Sequence, residues 1–227
     1  MITAPLALEN VTKAFKDGEQ YINILEDISF TAEKGKFTAV IGPSGSGKST
    51  FLSIAGALLT PDQGEVFVNS QSIASYKDKK LANVRLTSIG YIFQAANLVP
   101  YLKVNEQLKL VAQMKGDWDR EAKQRLGQLL ESVGLKARVN YYPHQLSGGE
   151  KQRVAIARAF MNNPDIILAD EPTANLDQAR SDEIVALMAK EVKEKDKAAV
   201  MVTHDESLLK YCDTVYRMEQ GKLIKGR

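Results

Sequence analysis

The chain has 227 residues, 44% of them hydrophobic and 26% charged, with a net charge of +2 and a single cysteine. This composition suits one large or two small globular units and argues against disorder. The near-neutral balance leaves no polyanion-binding footprint, Cys212 alone leaves no internal disulfide and fits a reducing compartment, and no apolar run approaches the ~20 residues of a membrane helix.

The opening "MITAPLALENVT" lacks the basic region and apolar stretch of a secretory signal. Strands are expected in "LALENVTKAF", "INILEDISFTA", "KFTAVIG" and "GEVFVN", where β-branched residues and alternation recur. A helix should begin inside "GSGKSTFLSIAGALL". The basic run "KDKK" at 77–80 reads as a solvated face, and "SIGYIFQ" at 88–94 as a strand. Residues 95–157 then read as a helical insert. Val104, Leu108 and Val111 form one stripe, and Ala122, Leu126, Leu129, Leu130 and Val133 a second. The last third returns to alternation: the buried strand "DIILADE", a helix over about 178–195, the strand "AAVMVTH" and a hairpin at Gln220-Gly221. Apolar strands alternating with helices predict an α/β fold with a mainly parallel sheet. The tail "KLIKGR" reads as solvated.

"GPSGSGKST", from Gly42 through Pro43, Ser44, Gly45, Ser46, Gly47, Lys48 and Ser49 to Thr50, follows a strand and opens a helix. It satisfies the phosphate-loop pattern, whose glycines let backbone N–H groups curl round phosphate oxygens at a helix N-terminus. Lys48 is expected to reach the β- and γ-phosphates, Ser49 to ligate Mg²⁺, and Thr50 to hold the loop. "IILADEP" ends an apolar strand in Asp170 and Glu171. The first suits Mg²⁺ and the second an attacking water. His204, ending the next strand, can reach the γ-phosphate or that water, and is otherwise a capping or packed residue. Gln94 can ligate Mg²⁺ through its oxygen and orient water through its NH₂, though a polar stop is the plain alternative. His144 reads as a loop residue with no catalytic role.

The combination resembles the ATP-binding subunits of ABC transporters over essentially the whole chain. "GPSGSGKST" is similar to Walker A, Gln94 to the Q-loop, "LSGGEKQR" at 146–153 to the signature, "IILADE" to Walker B, "ANLD" at 174–177 to the D-loop and His204 to the switch histidine. The resemblance implies a P-loop NTPase core with an N-terminal antiparallel β subdomain and a helical signature subdomain. One domain would span 1–227, its RecA-like core and β subdomain at about 1–94 and 158–227 and its helical subdomain at about 95–157. It implies an ATPase requiring Mg²⁺ that pairs head to tail with a second copy, Ser147, Gly148, Gly149 and Glu150 of one subunit facing the γ-phosphate held by the other. Asp177 would couple the two sites, and Asn175 stands at a position usually small and polar. Phe15 would stack on adenine, where Tyr is frequent in the family; Tyr21 is the rival, and a core role for Phe15 the plain alternative. A separate permease would dock on about 95–108, placing the protein at the cytoplasmic face of the membrane. Leu98, Val99 and Leu102 would line that contact or simply pack the insert. No nucleic-acid partner is implied.

Within the family the chain resembles the branch of macrolide exporters, lipoprotein-release systems and cell-division complexes. "NLVPYLKVNEQL" and the stretch from "YPHQLSGGE" to "ANLD" are most similar to haem-exporter ATPases of Gram-positive bacteria. The implied function is therefore to power an exporter of haem or a related hydrophobic compound. The alternative is a mechanical ATPase of the same branch acting in cell division or lipoprotein release. A small-molecule kinase would leave "LSGGE" unexplained. A DNA-repair or ribosome-bound ATPase would need a coiled coil or a second module.

Overall fold

The structure, a computed structural model, describes residues 4–174 and 176–226. β1 (Leu6–Asp17) and β2 (Gln20–Ala32) pair as a long antiparallel hairpin, and β4 (Gln63–Val68) and β5 (Gln71–Ser72) extend it into a four-stranded sheet ordered β2-β1-β4-β5. A second sheet has the order β10-β9-β3-β8-β7-β6. Its strands β3 (Phe37–Ile41), β6 (Ile89–Ile92), β7 (Ile166–Asp170), β8 (Ala198–Val202) and β9 (Thr214–Glu219) run parallel. Only β10 (Lys222–Lys225) is antiparallel, joined through the expected Gln220-Gly221 turn with both residues at positive φ.

Buried strands covered on both faces read as continuous apolar runs, and β3, β7 and β8 are buried along nearly their whole length. Their period of two still sorts side chains between two cores. Phe37, Ala39, Ile167, Ala169, Ala199 and Met201 face one cluster with Val154, Ile156, Ile184, Val185 and Leu208. Val40, Ile166, Leu168, Ala198, Val200 and Val202 face the other, with Phe51, Leu52, Leu8 and Leu25. The first face packs α5 (Gly148–Phe160) and α6 (Gln178–Glu194); the second packs α1 (Lys48–Ala55) and the antiparallel sheet. Each fully buried Leu, Ile or Val contributes about 1.5–3 kcal/mol.

The predicted stripes in the insert form α3 (Val104–Lys115) and α4 (Arg120–Ser132). Val104, Leu108, Ala122, Leu129, Leu130 and Val133 are buried, and Val111 and Leu126 are half-buried against the same core. Helical structure runs past 157, since α5 ends at Phe160. α2 (Asp78–Ser88) was not expected from the sequence. It begins inside "KDKK", buries no residue fully, and packs only Leu81 and Val84 of its apolar side chains against the second core, so its stripe is too thin to read. The strand expected over 88–94 stops at Ile92, leaving Gln94 in a loop.

Parallel pairing aligns the strand ends. Val40 lies opposite Val202, Asp170 opposite Val202, and Ile92 opposite Ala169. The loops that follow β3, β6, β7 and β8 therefore emerge at one edge, the carboxyl edge where open α/β sheets bind ligands.

Candidate active site

The phosphate loop bridges β3 and α1. Gly47 caps α1 at φ 101°, and a Cβ there would lie 2.7 Å from the Ile24 carbonyl oxygen and 3.0 Å from a Leu25 methyl, so only glycine lets the loop close on β2. A Cβ on Gly42 would come within 2.3 Å of the Met218 carbonyl oxygen. Lys48 is buried, and its ammonium donates to the Gly42 and Pro43 carbonyls at 2.8 Å each, so its charge sits inside the curl of the loop. Ser46 Oγ is buried and has no hydrogen-bond partner among the described residues. Ser44, Gly45, Gly47, Lys48, Ser49 and Thr50 line an open cleft of about 410 Å³ with Phe15, Ile24 and Glu171. Ile24 was missed in the sequence because nothing marks its carbonyl as the floor beneath Gly47.

Phe15 is 44% exposed at the cleft wall, with the Lys13 ammonium 5.7 Å from its ring centre. Tyr21 is 73% exposed and outside the lining, which favours Phe15 as the aromatic wall. A larger cleft of about 520 Å³ lies between the turn at Glu206–Tyr211 and β9, but it contains none of the residues marked by the sequence.

Ser49 Oγ donates to Asp170 Oδ1 at 3.2 Å, which brings the phosphate loop and the end of β7 together. Burial pushes the Asp170 carboxyl up, and the neighbouring Glu171 charge adds to this; the Ser49 hydrogen bond and the Lys48 charge oppose it. Consecutive strand residues should face opposite sides. Glu171 escapes that rule by adopting φ 43°, the left-handed region, at a cost of roughly 1–2 kcal/mol. Glu171 thereby lines the cleft, while Asp170 is tied to its edge through Ser49. The Glu171 N–H donates to the Val202 carbonyl at 3.0 Å, and His204 Nδ1 lies 3.2 Å from Glu171 Oε1. One carboxylate beside one hydroxyl is the donor set with which proteins hold Mg²⁺ on a phosphate ligand. No group of three His, Cys, Asp or Glu among the described residues could hold a metal alone. Gln94 is exposed just past β6, at the same edge as Asp170.

The signature residues lie outside the cleft lining. Ser147 caps α5: its Oγ accepts from the Glu150 N–H at 3.2 Å, and Glu150 Oε2 accepts from the Ser147 N–H at 2.8 Å. The Arg138 guanidinium donates to Glu150 Oε1 at 3.0 Å. The Ser147 N–H, then Arg138, hold the Glu150 carboxyl below its usual range. Gly148 sits against Leu176 and Gly149 against Arg180, so the signature abuts the D-loop and the first turn of α6. Asp177 caps α6, accepting from the Arg180 N–H at 3.0 Å. Asn175 lies outside the described residues. His144 stacks on Tyr142 with ring centres 5.9 Å apart, away from the cleft. Arg138 was not marked in the sequence, because an arginine twelve residues before its partner carries no pattern.

Residues 25–174 match the family model described as ABC transporter. The chain belongs to the ABC transporter family. It is 48% identical over 218 residues, 96% of this chain and 98% of the relative, to proteins of Staphylococcus aureus strains RF122 and Newman named putative hemin import ATP-binding protein HrtA. An ATP-binding cassette solved as a dimer in a post-hydrolysis state with ADP and Pi superposes with a TM-score of 0.88 at 38% identity, covering 98% of this chain and 99% of that one. The structure of cbiO1 from Clostridium perfringens, part of the transporter complex cbiONQ, superposes at 0.87 with 29% identity over 99% and 88% of the two chains. This ABC protein is accordingly an ATPase subunit of a transporter, with the mixed α/β cassette fold. No helix among its described residues is long and apolar enough to cross a membrane.

Proposed function

We propose that this ATPase hydrolyses ATP in the cleft between the phosphate loop and the ends of β7 and β8, within a head-to-tail dimer, and so drives haem through a separate permease. The observation that carries the reading is the convergence of Lys48, Ser49 and Glu171 on one cleft, with Asp170 bonded to Ser49 and His204 touching Glu171.

In this scheme the loop N–H groups and Lys48 bind the β- and γ-phosphates, and Phe15 stacks on adenine. Ser49, Asp170 and Gln94 would hold Mg²⁺, which when bound neutralises charge on the phosphates. Glu171 takes the proton of the attacking water, and His204, through its contact with Oε1, holds that carboxylate in place. The site is completed from the second copy. Its Ser147, Gly148, Gly149 and Glu150 meet the γ-phosphate, and Asp177 links the two sites. A structural relative solved as a dimer supports the pairing of two copies. A ligand gripped by two chains stabilises their association, and hydrolysis releases it.

The chain divides, in this reading, into a core with its β subdomain and a helical arm near 95–157 that meets the permease through about 95–108. That contact anchors the protein at the cytoplasmic face of the membrane. Leu98 packs inward, and Gln107 holds the Val99 and Leu102 carbonyls at 2.7 and 3.0 Å. Tyr101, 76% exposed, is the exposed large apolar side chain available to a partner there. Haem as cargo rests on the relatives' name and on their 48% identity. The sequence reading expects export, whereas that name reads import. Direction is fixed by the permease rather than by residues of the ATPase. The deciding experiment is co-purification of the chain with its membrane partner, followed by ATP-driven haem movement in inverted vesicles. Haem accumulating inside such vesicles supports export and haem leaving them supports import. No ATP-dependent movement, with a lipoprotein-release or division partner recovered instead, would replace haem by the mechanical alternative.

A further inference from the structure

The loop that carries Gln94 has no secondary structure of its own, yet it is fastened at both ends to one helix. Gln152, buried on α5, donates through Nε2 to the Phe93 carbonyl at 3.2 Å. Arg158, also on α5, donates through Nη2 to the Ala96 carbonyl at 2.9 Å and through Nη1 to the Asn97 carbonyl at 2.8 Å. Asn97 adopts φ 46°, and the two successive carbonyls are both within reach of one guanidinium fork. All three bonds go to backbone oxygens, so the clamp grips the chain on either side of Gln94 while its exposed amide takes no part. Burial lowers the Arg158 pKa, as expected of a cation whose acceptors are dipoles rather than a carboxylate. The same helix begins at Ser147.

We propose that Arg158 and Gln152 are positioning residues that make the Gln94 loop and the signature helix one rigid piece, so that displacement of Ser147 is felt at Gln94. The inference rests on the proposed role of Gln94 in the ATP site. Its chemical basis is the fork: arginine can donate two parallel bonds to neighbouring carbonyls, whereas lysine offers a point charge.

The test is a double-mutant cycle on ATP hydrolysis by the purified full chain, with thermal melting confirming that each variant is folded. Arg158→Ala is expected to lower kcat by about tenfold to a hundredfold, the loss that follows from about 1 Å of misplacement in a catalytic group. KM for ATP should stay near wild type, because neither clamp residue lines the phosphate cleft. Gln152→Leu should act in the same direction, and Arg158→Lys should recover only part of the rate. In a Gln94→Ala background Arg158→Ala should change kcat by less than about twofold, because residues acting through one group are non-additive. A purely structural arginine would lower the rate equally in both backgrounds, and that result would overturn the proposal. So would a folded Arg158→Ala and Gln152→Leu pair at wild-type kcat, or a Gln94→Ala variant at wild-type rate. Lys48→Ala serves as the control: if it hydrolyses ATP as fast as wild type, the ATP site itself is misplaced and the clamp falls with it.

Discussion

Glu171→Gln is the most direct probe of the proposed chemistry. The replacement keeps side-chain size, and the unusual backbone at φ 43° is set by the end of β7 and the bond to the Val202 carbonyl, not by the carboxylate. The change therefore removes one property, the ability to accept a proton from water, together with the charge facing His204 at 3.2 Å. Loss of a positioned base slows a reaction by about 10²–10⁴-fold. At 1.36 kcal/mol per decade that raises the barrier by about 2.7–5.4 kcal/mol. ATP binding should persist, since Lys48 and the loop N–H groups are untouched and, in the proposed scheme, a negative charge beside the γ-phosphate is gone. Phosphate release at saturating ATP measures the rate, and size-exclusion chromatography with ATP present measures the dimer, which should accumulate. Adding His204→Ala should slow the Glu171→Gln variant no further, because in the proposed scheme the histidine acts through that carboxylate. A Glu171→Gln rate within about threefold of wild type would remove Glu171 from its role. Loss of ATP affinity would mean that the residue serves binding and not the chemical step.

Lys48→Ala should abolish tight ATP binding in a filter or calorimetric assay, as its buried ammonium is the loop's own cation. Ser147→Arg should bind ATP normally yet form no dimer; mixed with Lys48→Ala it should give at most one intact composite site, and full recovery of activity would contradict the shared geometry. Phe15→Ala should raise KM for ATP about 5- to 150-fold with kcat unchanged, the loss expected from roughly 1–3 kcal/mol of base stacking. For Glu150 the folded pKa lies below the ordinary 4.5, so its stabilisation is fully present above that value and is lost as pH falls through the folded pKa. Glu150→Gln should therefore be less stable than wild type at pH 7 in urea titrations, with the gap closing below about pH 4.5, and a gap constant with pH would refute the assignment.

What the sequence made legible was side-chain chemistry at fixed spacing. Lys48, Ser49, Asp170, Glu171 and His204 were each identifiable because a phosphate loop and two apolar strands ending in polar residues leave a pattern. Their convergence follows from parallel strands whose ends align. What stayed hidden was bonding to backbone. Arg158 and Gln152 hold carbonyls, which every residue possesses, so no partner residue marks them. α2 was hidden for a different reason: its two apolar contacts, Leu81 and Val84, fall short of a stripe. The positive φ of Glu171 was also out of reach, although the requirement it meets, two adjacent acids serving one cleft, could be stated from the sequence alone.

The proposed role of the signature helix raises an electrostatic difficulty, which the pairing of Glu150 bears on. A helix start proposed to meet a γ-phosphate carries a carboxylate, Glu150, in its first turn. Left unpaired, that charge would oppose an incoming anion. Instead its two oxygens are committed, one to the Ser147 N–H and one to Arg138. The Arg138 guanidinium cancels the charge, and the Ser147 bond orders the turn that presents the helix. Ser147 Oγ accepts from the Glu150 N–H, so its own proton is available to donate to a phosphate oxygen. Gly148 and Gly149 are among the first residues of α5, whose N–H groups have no intrahelical acceptor. Ser147 and Gly148 are exposed, while Val154, Ala155, Ile156, Ala157 and Phe160 anchor the helix in the core. A rigid buried body thus holds out a neutralised, donor-rich tip, which is what reading a phosphate bound to another copy requires.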